Sequence, residues 1–387
     1  GNMVFLIYIL TIIKREEVKY SMDKYISNKI KNISLFMTFF VVILHSNNLE
    51  KSNVVNLNSV VQNFIGQGIV RVAVPIFFLI SGYLFFYNFV PSMEKWKYIF
   101  NVLTLTYFMI KWKYKFKSRF HSLFIPYVIW CTGWLIILYL VELLPIGRAL
   151  FSDRIVSDYT LKELFVNTYV YPLPYQFWYI RSLMLDVILT PVFYYIIKSL
   201  GKKSLPILVI VWFLYPISEM FGGLWFLQIF NYPFTLFGIG AAFAIHNIDL
   251  HFKSIKPKQV TLIGILYLLA CVIRTVLMYT ELPLLDLAEN LVILFGVPFI
   301  WLFYDRMKSI KNKKIKIAKY GIFIYFFHIP FQSILKKVWF MVMPLSEISS
   351  LIIFFVAPII TITVCVLVAM FLRRYMNRFY MILSGGR

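Results

Sequence analysis

The sequence predicts an all-α protein, a polytopic transmembrane helical bundle of about ten spans with both termini cytoplasmic. Three observations carry that expectation. Of 387 residues, 60% are hydrophobic, 19% aromatic and only 14% charged, where a soluble chain carries about 25% charge. Apolar runs near twenty residues recur to the end of the chain, the length that crosses a hydrocarbon core of about 30 Å. Finally, the 39 lysines and arginines alternate in density, with 30 on one side of the membrane, 4 on the other and 5 inside spans. The positive-inside rule makes the basic side cytoplasmic. The net charge of +22 is therefore read as topology with no nucleic-acid partner implied, and its second use is to attract an anionic substrate.

The predicted spans cover 33–48, 69–89, 123–144, 177–197, 204–218, 224–246, 259–279, 288–304, 320–341 and 349–372. Residues 1–31 form a cytoplasmic or interfacial segment, 32–374 the transmembrane domain and 375–387 a cytoplasmic tail. The apolar run Met3–Ile13 is too short to span, and Met22 offers an alternative start. Cys131, Cys271 and Cys365 sit singly in apolar spans, with neither a disulfide framework nor metal-ligand spacing. No Gly-x-Ser-x-Gly elbow, phosphate-binding loop or His-Glu-x-x-His pattern occurs, which leaves serine hydrolase, ATPase and zinc protease readings unsupported.

The first span carries the most informative stretch. Ser34, Thr38 and His45 fall near one face of a helix. Polar groups facing lipid cost free energy, so this stripe is expected to face other helices or a wet cavity. A histidine capping a helix near the interface is the plainer use of the same residue. Arg71 opens the second span, where it could equally snorkel to headgroups. Pro75 and Ser81-Gly82 follow it and suggest a kink and a close helix contact. Arg181, Asp186, Arg274 and His328 are further polar groups inside spans. The buried Asp186 needs a partner, either His328 or a buried amide. The outer loop 145–176 ends in Tyr169-Val-Tyr-Pro-Leu-Pro-Tyr-Gln176, which suits either an aromatic belt or stacking on sugar rings.

These residues also carry a resemblance. His45, then Arg71-x-x-x-Pro-x-Phe-Phe-x-x-Ser-Gly-Tyr83, then Lys117-Ser-Arg119 with Ile125-Pro-Tyr127 and Trp130, stand in the order seen in the acyltransferase-3 family. Phe177-Trp-Tyr-Ile-Arg181, Tyr320-Gly-Ile-Phe-Ile-Tyr325 with His328 and Pro330, and the closing Ser384-Gly-Gly-Arg387 continue it. The chain resembles these integral membrane acyltransferases from about residue 30 to its end. It departs where the family has an arginine eleven residues before the histidine. Ser34 stands there, and Lys31 is one turn lower. The late motif's serine is replaced by Gly321.

The resemblance implies an O-acyltransferase of the bacterial plasma membrane. It would move an acyl group, acetyl being expected, from cytosolic acyl-CoA to a hydroxyl of an extracytoplasmic glycan or lipid-linked sugar. Acyl-CoA enters as a co-substrate, with no bound cofactor and no metal. On this reading His45 and Arg71 are the catalytic residues. A neutral imidazole suits the base that takes a hydroxyl proton, and a guanidinium suits the developing oxyanion. Trp178, Arg181, Arg274 and His328 are expected to bind substrate, and Lys117, Arg119 and Tyr127 to bind acyl-CoA. Membrane lipids and the glycan acceptor are the expected partners. A transporter or flippase of a glycan precursor is the competing class, disfavoured by the lack of an internal repeat between the halves.

One further feature is a direct repeat, Lys95-Trp-Lys-Tyr98 and Lys111-Trp-Lys-Tyr114, enclosing twelve mostly apolar residues. These would reach only about 18 Å as a helix, so 95–110 is expected to be an insertion at the cytoplasmic interface.

Overall fold

The computed structural model describes residues 22–49, 54–88, 100–144, 148, 155–223, 225–307 and 315–386. Their regular secondary structure is all helical, with no strand among the described residues. The principal helices are α1 (Lys24–Leu44), α2 (Ala73–Phe86), α3 (Phe100–Arg119), α4 (Ile125–Glu142), α5 (Trp178–Ile188), α6 (Thr190–Leu200), α7 (Ser204–Glu219), α8 (Tyr232–Ile245), α9 (Pro257–Leu277), α10 (Leu285–Tyr304), α11 (Gly321–Val342), α12 (Glu347–Tyr375) and α13 (Asn377–Leu383). Among the described residues, 7 helical stretches are long and apolar enough to cross a membrane.

Two differences from the ten predicted spans have local causes. The predicted fourth span is two helices of 11 residues each, meeting at Leu189. Pro191 has no N–H to offer the Val187 carbonyl four residues back. The Thr190 hydroxyl donates to that carbonyl instead, at 2.6 Å. Gly201, with φ of +58°, then turns the chain between α6 and α7, a backbone conformation open to glycine. The second difference is α3. Residues 100–110 are the leading turns of a helix that runs to Arg119 and continues through a π-turn into α4. Residues 95–99, the start of the expected insertion, lie outside the described residues.

The core is assembled by close contact around α1 and α2. Ile26, Ile30, Ile33, Met37 and Val41 recur every three or four residues on α1 and are all buried, the stripe a helix presents to its neighbours. The Asp23 side chain caps the start of α1 by accepting the Tyr25 N–H at 2.8 Å. That bond holds the Asp23 carboxyl below its ordinary range. Near this end Lys29, fully buried, is paired with Asp305 at 2.8 Å and lies over the Trp301 ring. Lys31, one turn below the position of the family's arginine, is exposed.

Between α2 and α8 the two backbones nearly touch. A Cβ on Gly82 would lie 2.0 Å from the Phe237 carbonyl oxygen, and one on Gly240 2.0 Å from that of Leu79. Small residues permit such an approach where lipid supplies no hydrophobic drive between helices. The three cysteines are buried and free.

Candidate active site

His45 follows the last turn of α1, with its N–H still bonded to the Val41 carbonyl at 3.2 Å. Its Nδ1 lies 3.0 Å from the Tyr175 hydroxyl, and the tyrosine ring meets the imidazole edge-on. The His328 ring lies on another side, with centroids 5.4 Å apart. Thus one histidine expected to act and one expected to bind substrate are brought together from residues far apart in sequence.

His328 has a fixed tautomer. Its Nδ1 lies 3.0 Å from the Ile324 carbonyl and 2.8 Å from that of Tyr325. Carbonyls only accept, so Nδ1 carries the proton and Nε2 presents a lone pair. That Nε2 is buried with no partner. One turn further along α11, Gln332 donates to the Val42 carbonyl at 3.0 Å, while its Oε1 is unpartnered. A further turn on, Lys336 donates to the carbonyls of His45 and Asn47 at 2.9 and 3.0 Å. Residues four apart share a helix face, so His328, Gln332 and Lys336 form one stripe gripping the end of α1. A helix C-terminus leaves carbonyls without donors and favours a cation beside them.

Thr38, also on α1, faces Gly321 of α11. The α1 stripe is therefore turned to protein and away from lipid, although the Thr38 hydroxyl is used on its own helix at Ser34.

A second cluster lies at the start of α10. The Glu289 carboxylate accepts from Arg71 at 2.9 Å and from Arg274 at 3.1 Å, both on the same oxygen. The Nε atoms of both arginines are buried without partners. Two guanidiniums on one carboxylate leave a net positive charge with N–H groups to spare, which suits a developing anion. Arg71 and Lys336 both lie close enough to act electrostatically on His45. Tyr232 lies within similar reach of Arg71 and Glu289. Its ring meets Trp178 edge-on at 6.1 Å.

Other expected residues are sited differently. Arg181 donates to the Val170 carbonyl and lies over the Tyr171 ring. It thus pins the loop that carries Tyr175 and stays apart from Arg71 and Arg274. Lys117 is exposed and Arg119 half-buried near the end of α3, whereas Tyr127 is buried. The Tyr127 hydroxyl donates to the Tyr169 carbonyl at 2.6 Å. Ten helical residues, about 15 Å, separate Tyr127 from Lys117, and its hydroxyl bond ties it to the loop that carries Tyr175. On the same helix as Lys117, Lys115 donates to the carbonyls of Phe85 and Tyr87 and so caps α2. Asp186 does not meet His328. It is buried, and its Oδ2 is unpartnered.

Sequence reasoning missed Tyr175, Gln176, Glu289, Gln332 and Lys336 as site residues. Gln176 is 2% exposed. Its carbonyl accepts the Tyr325 hydroxyl at 2.6 Å, but neither side-chain polar atom has a partner. The four-residue spacing from His328 to Gln332 to Lys336 was a legible signal for that stripe. A carboxylate at the start of a span was the corresponding signal for Glu289.

Fold and site together define a helical membrane protein with a close histidine pair and two arginines that share one carboxylate. The chain belongs to the acyltransferase-3 family, since residues 35–370 match the family described as an acyltransferase domain. It is a membrane acyltransferase. A relative is the succinoglycan biosynthesis protein ExoH of Rhizobium meliloti (strain 1021), 22% identical over 336 residues that cover 84% of this chain and 81% of that protein. No solved structure matches this chain.

Proposed function

We propose that this chain is an O-acyltransferase of the bacterial plasma membrane that acetylates an extracytoplasmic polysaccharide or its lipid-linked precursor from cytosolic acetyl-CoA. About ten spans with both termini cytoplasmic would place donor and acceptor on opposite faces. The observation that carries the reading is the environment of His45, held by Tyr175, opposed by His328 and within electrostatic reach of Arg71. Similarity to a succinoglycan biosynthesis protein supports a polysaccharide acceptor.

For His45 to act as base at Nε2, its Nδ1–H must donate to the Tyr175 oxygen, as an orienting partner does in other imidazole bases. Nε2 then takes the acceptor hydroxyl proton while the oxygen attacks the thioester carbonyl. Negative charge collects on the carbonyl oxygen, where the spare N–H groups of Arg71 and Arg274 would stabilise it. The C–S bond breaks, and the proton held on His45 passes to the departing sulfur, giving ester and free CoA thiol. His328 Nε2 and the Gln176 amide, buried without partners, would orient the sugar hydroxyls.

The test is to supply purified protein with acetyl-CoA and an unacetylated bacterial polysaccharide, following free thiol release and glycan mass together. Equal yields of thiol and of a 42-dalton mass gain, about one acetyl for hydrogen each, are expected from this chemistry. Polysaccharide moved across a vesicle membrane with no thiol released would contradict it.

A further inference from the structure

A cavity of about 270 Å³ lies toward the Lys29–Asp305 end of the bundle, bounded by α1, α2, α7, α8, α10 and the loop before α9. Its walls are apolar side chains, among which only Tyr83, Trp212 and Trp301 carry a polar atom. The Trp301 N–H is already given to the Leu250 carbonyl at 3.0 Å. Protein interiors pack to crystal-like density, so a space of this size in the core forfeits dispersion contacts unless something fills it. We infer that it seats one acyl chain of an anionic phospholipid, with the headgroup on Lys253 and Lys256.

Size and chemistry select a hydrocarbon chain. A cavity of about 150 Å³ takes benzene, so this one holds roughly ten carbons, much of one fatty chain. A sugar, a nucleotide or the amide-bearing arm of CoA would leave polar groups unsatisfied against these walls. Distance argues against the donor's own acyl group. Ile33 lines the cavity and His45 is twelve residues on, about 18 Å along α1. On the proposed function, a thioester delivered from the basic side would carry its acyl chain past His45 and away from this space.

The partners for the headgroup come from the loop before α9. Phe252 and Ile255 line the cavity, and Lys253 and Lys256, both exposed, come from the same loop. Asp249 is an exposed acid on that loop, and its Oδ1 accepts the His251 N–H at 3.0 Å. Phe252 holds φ of +46°, a conformation that an aromatic residue rarely adopts. It is braced by His251, which bonds to Asp23 at 2.8 Å and stacks on Tyr25. Basic residues at a membrane surface attract anionic lipid.

The experiment uses the full chain in lipid vesicles and reads tryptophan fluorescence. Brominated phosphatidylglycerol and brominated phosphatidylcholine are compared at equal content, and the Trp212 signal is taken as the difference from a Trp212→Phe variant. The expected result is that brominated phosphatidylglycerol quenches Trp212 at least several-fold more than brominated phosphatidylcholine. Ile239→Phe, or Leu294→Phe from the opposite wall should the first fail to fold, removes the excess. The double variant Lys253→Gln/Lys256→Gln reduces it to the phosphatidylcholine level. Equal quenching by both lipids, or an excess that survives filling, would show ordinary boundary lipid and overturn the proposal. An excess abolished by added myristoyl-CoA, or one that appears only after deletion of residues 1–21, would overturn it in favour of another occupant.

Discussion

The Tyr175 hydroxyl and His45 Nδ1 lie 3.0 Å apart, and either can supply the proton of the bond between them. The proposed function requires His45 Nδ1–H to donate and the tyrosine oxygen to accept, which leaves Nε2 free to take a proton. Tyr175→Phe keeps the ring contact and removes that acceptor. It is expected to lower kcat about ten-fold or more with little change in KM, since losing one hydrogen bond to a group that becomes charged costs about 1.5–3 kcal/mol. An unchanged kcat would remove Tyr175 from the mechanism. Lys336 acts differently, through the backbone of the α1 terminus. Lys336→Met should keep the side-chain volume near its present value but strip a donor from the carbonyls of His45 and Asn47. A loss of about 1–3 kcal/mol in stability is expected, read as a lower thermal midpoint of the purified protein.

At the scale of elements, α2 and α8 form the rigid centre against which the site is set. A side chain at Gly82 or Gly240 would run into backbone and not into a flexible neighbour. Gly82→Val and Gly240→Val are therefore each expected to abolish the folded state, seen as loss of a monodisperse peak on size exclusion. Gly133, with open space around it, should tolerate Ala with no such loss. The sequence already marked this contact through Ser81-Gly82, just as it marked α1 by the polar stripe ending in His45. Polar groups within apolar runs stand out, so His45, Arg71, Arg274 and His328 are conspicuous in the sequence alone. Their pairing is not. Glu289 meets Arg71 across 218 positions of chain, and no local pattern encodes which spans lie side by side. The division of 178–200 into two helices turned on one proline and one hydroxyl, inside a run whose hydropathy reads as continuous. The hydroxyl partner of Tyr127 was illegible for a related reason: Tyr169 lies 42 positions on, in a loop that returns to it.

For the whole molecule, the charge alternation predicts a cytoplasmic basic side, and buried native cysteines make that measurable. Lys162 and Lys253 are both exposed. An impermeant maleimide should label Lys162→Cys in intact cells and Lys253→Cys only after permeabilisation. The opposite pattern would invert the topology and put the basic loops outside. On the proposed function, this bundle brings an acyl donor and a hydroxyl to one histidine. The most direct measurement is the initial rate of acetyl transfer to polysaccharide by purified His45→Ala, with its folding confirmed by a thermal midpoint matching that of the wild type. Loss of a general base typically costs 10²–10⁴-fold, roughly 3–5 kcal/mol in the barrier, and a fall of that size is expected. Transfer at the wild-type rate by the folded variant would contradict the account.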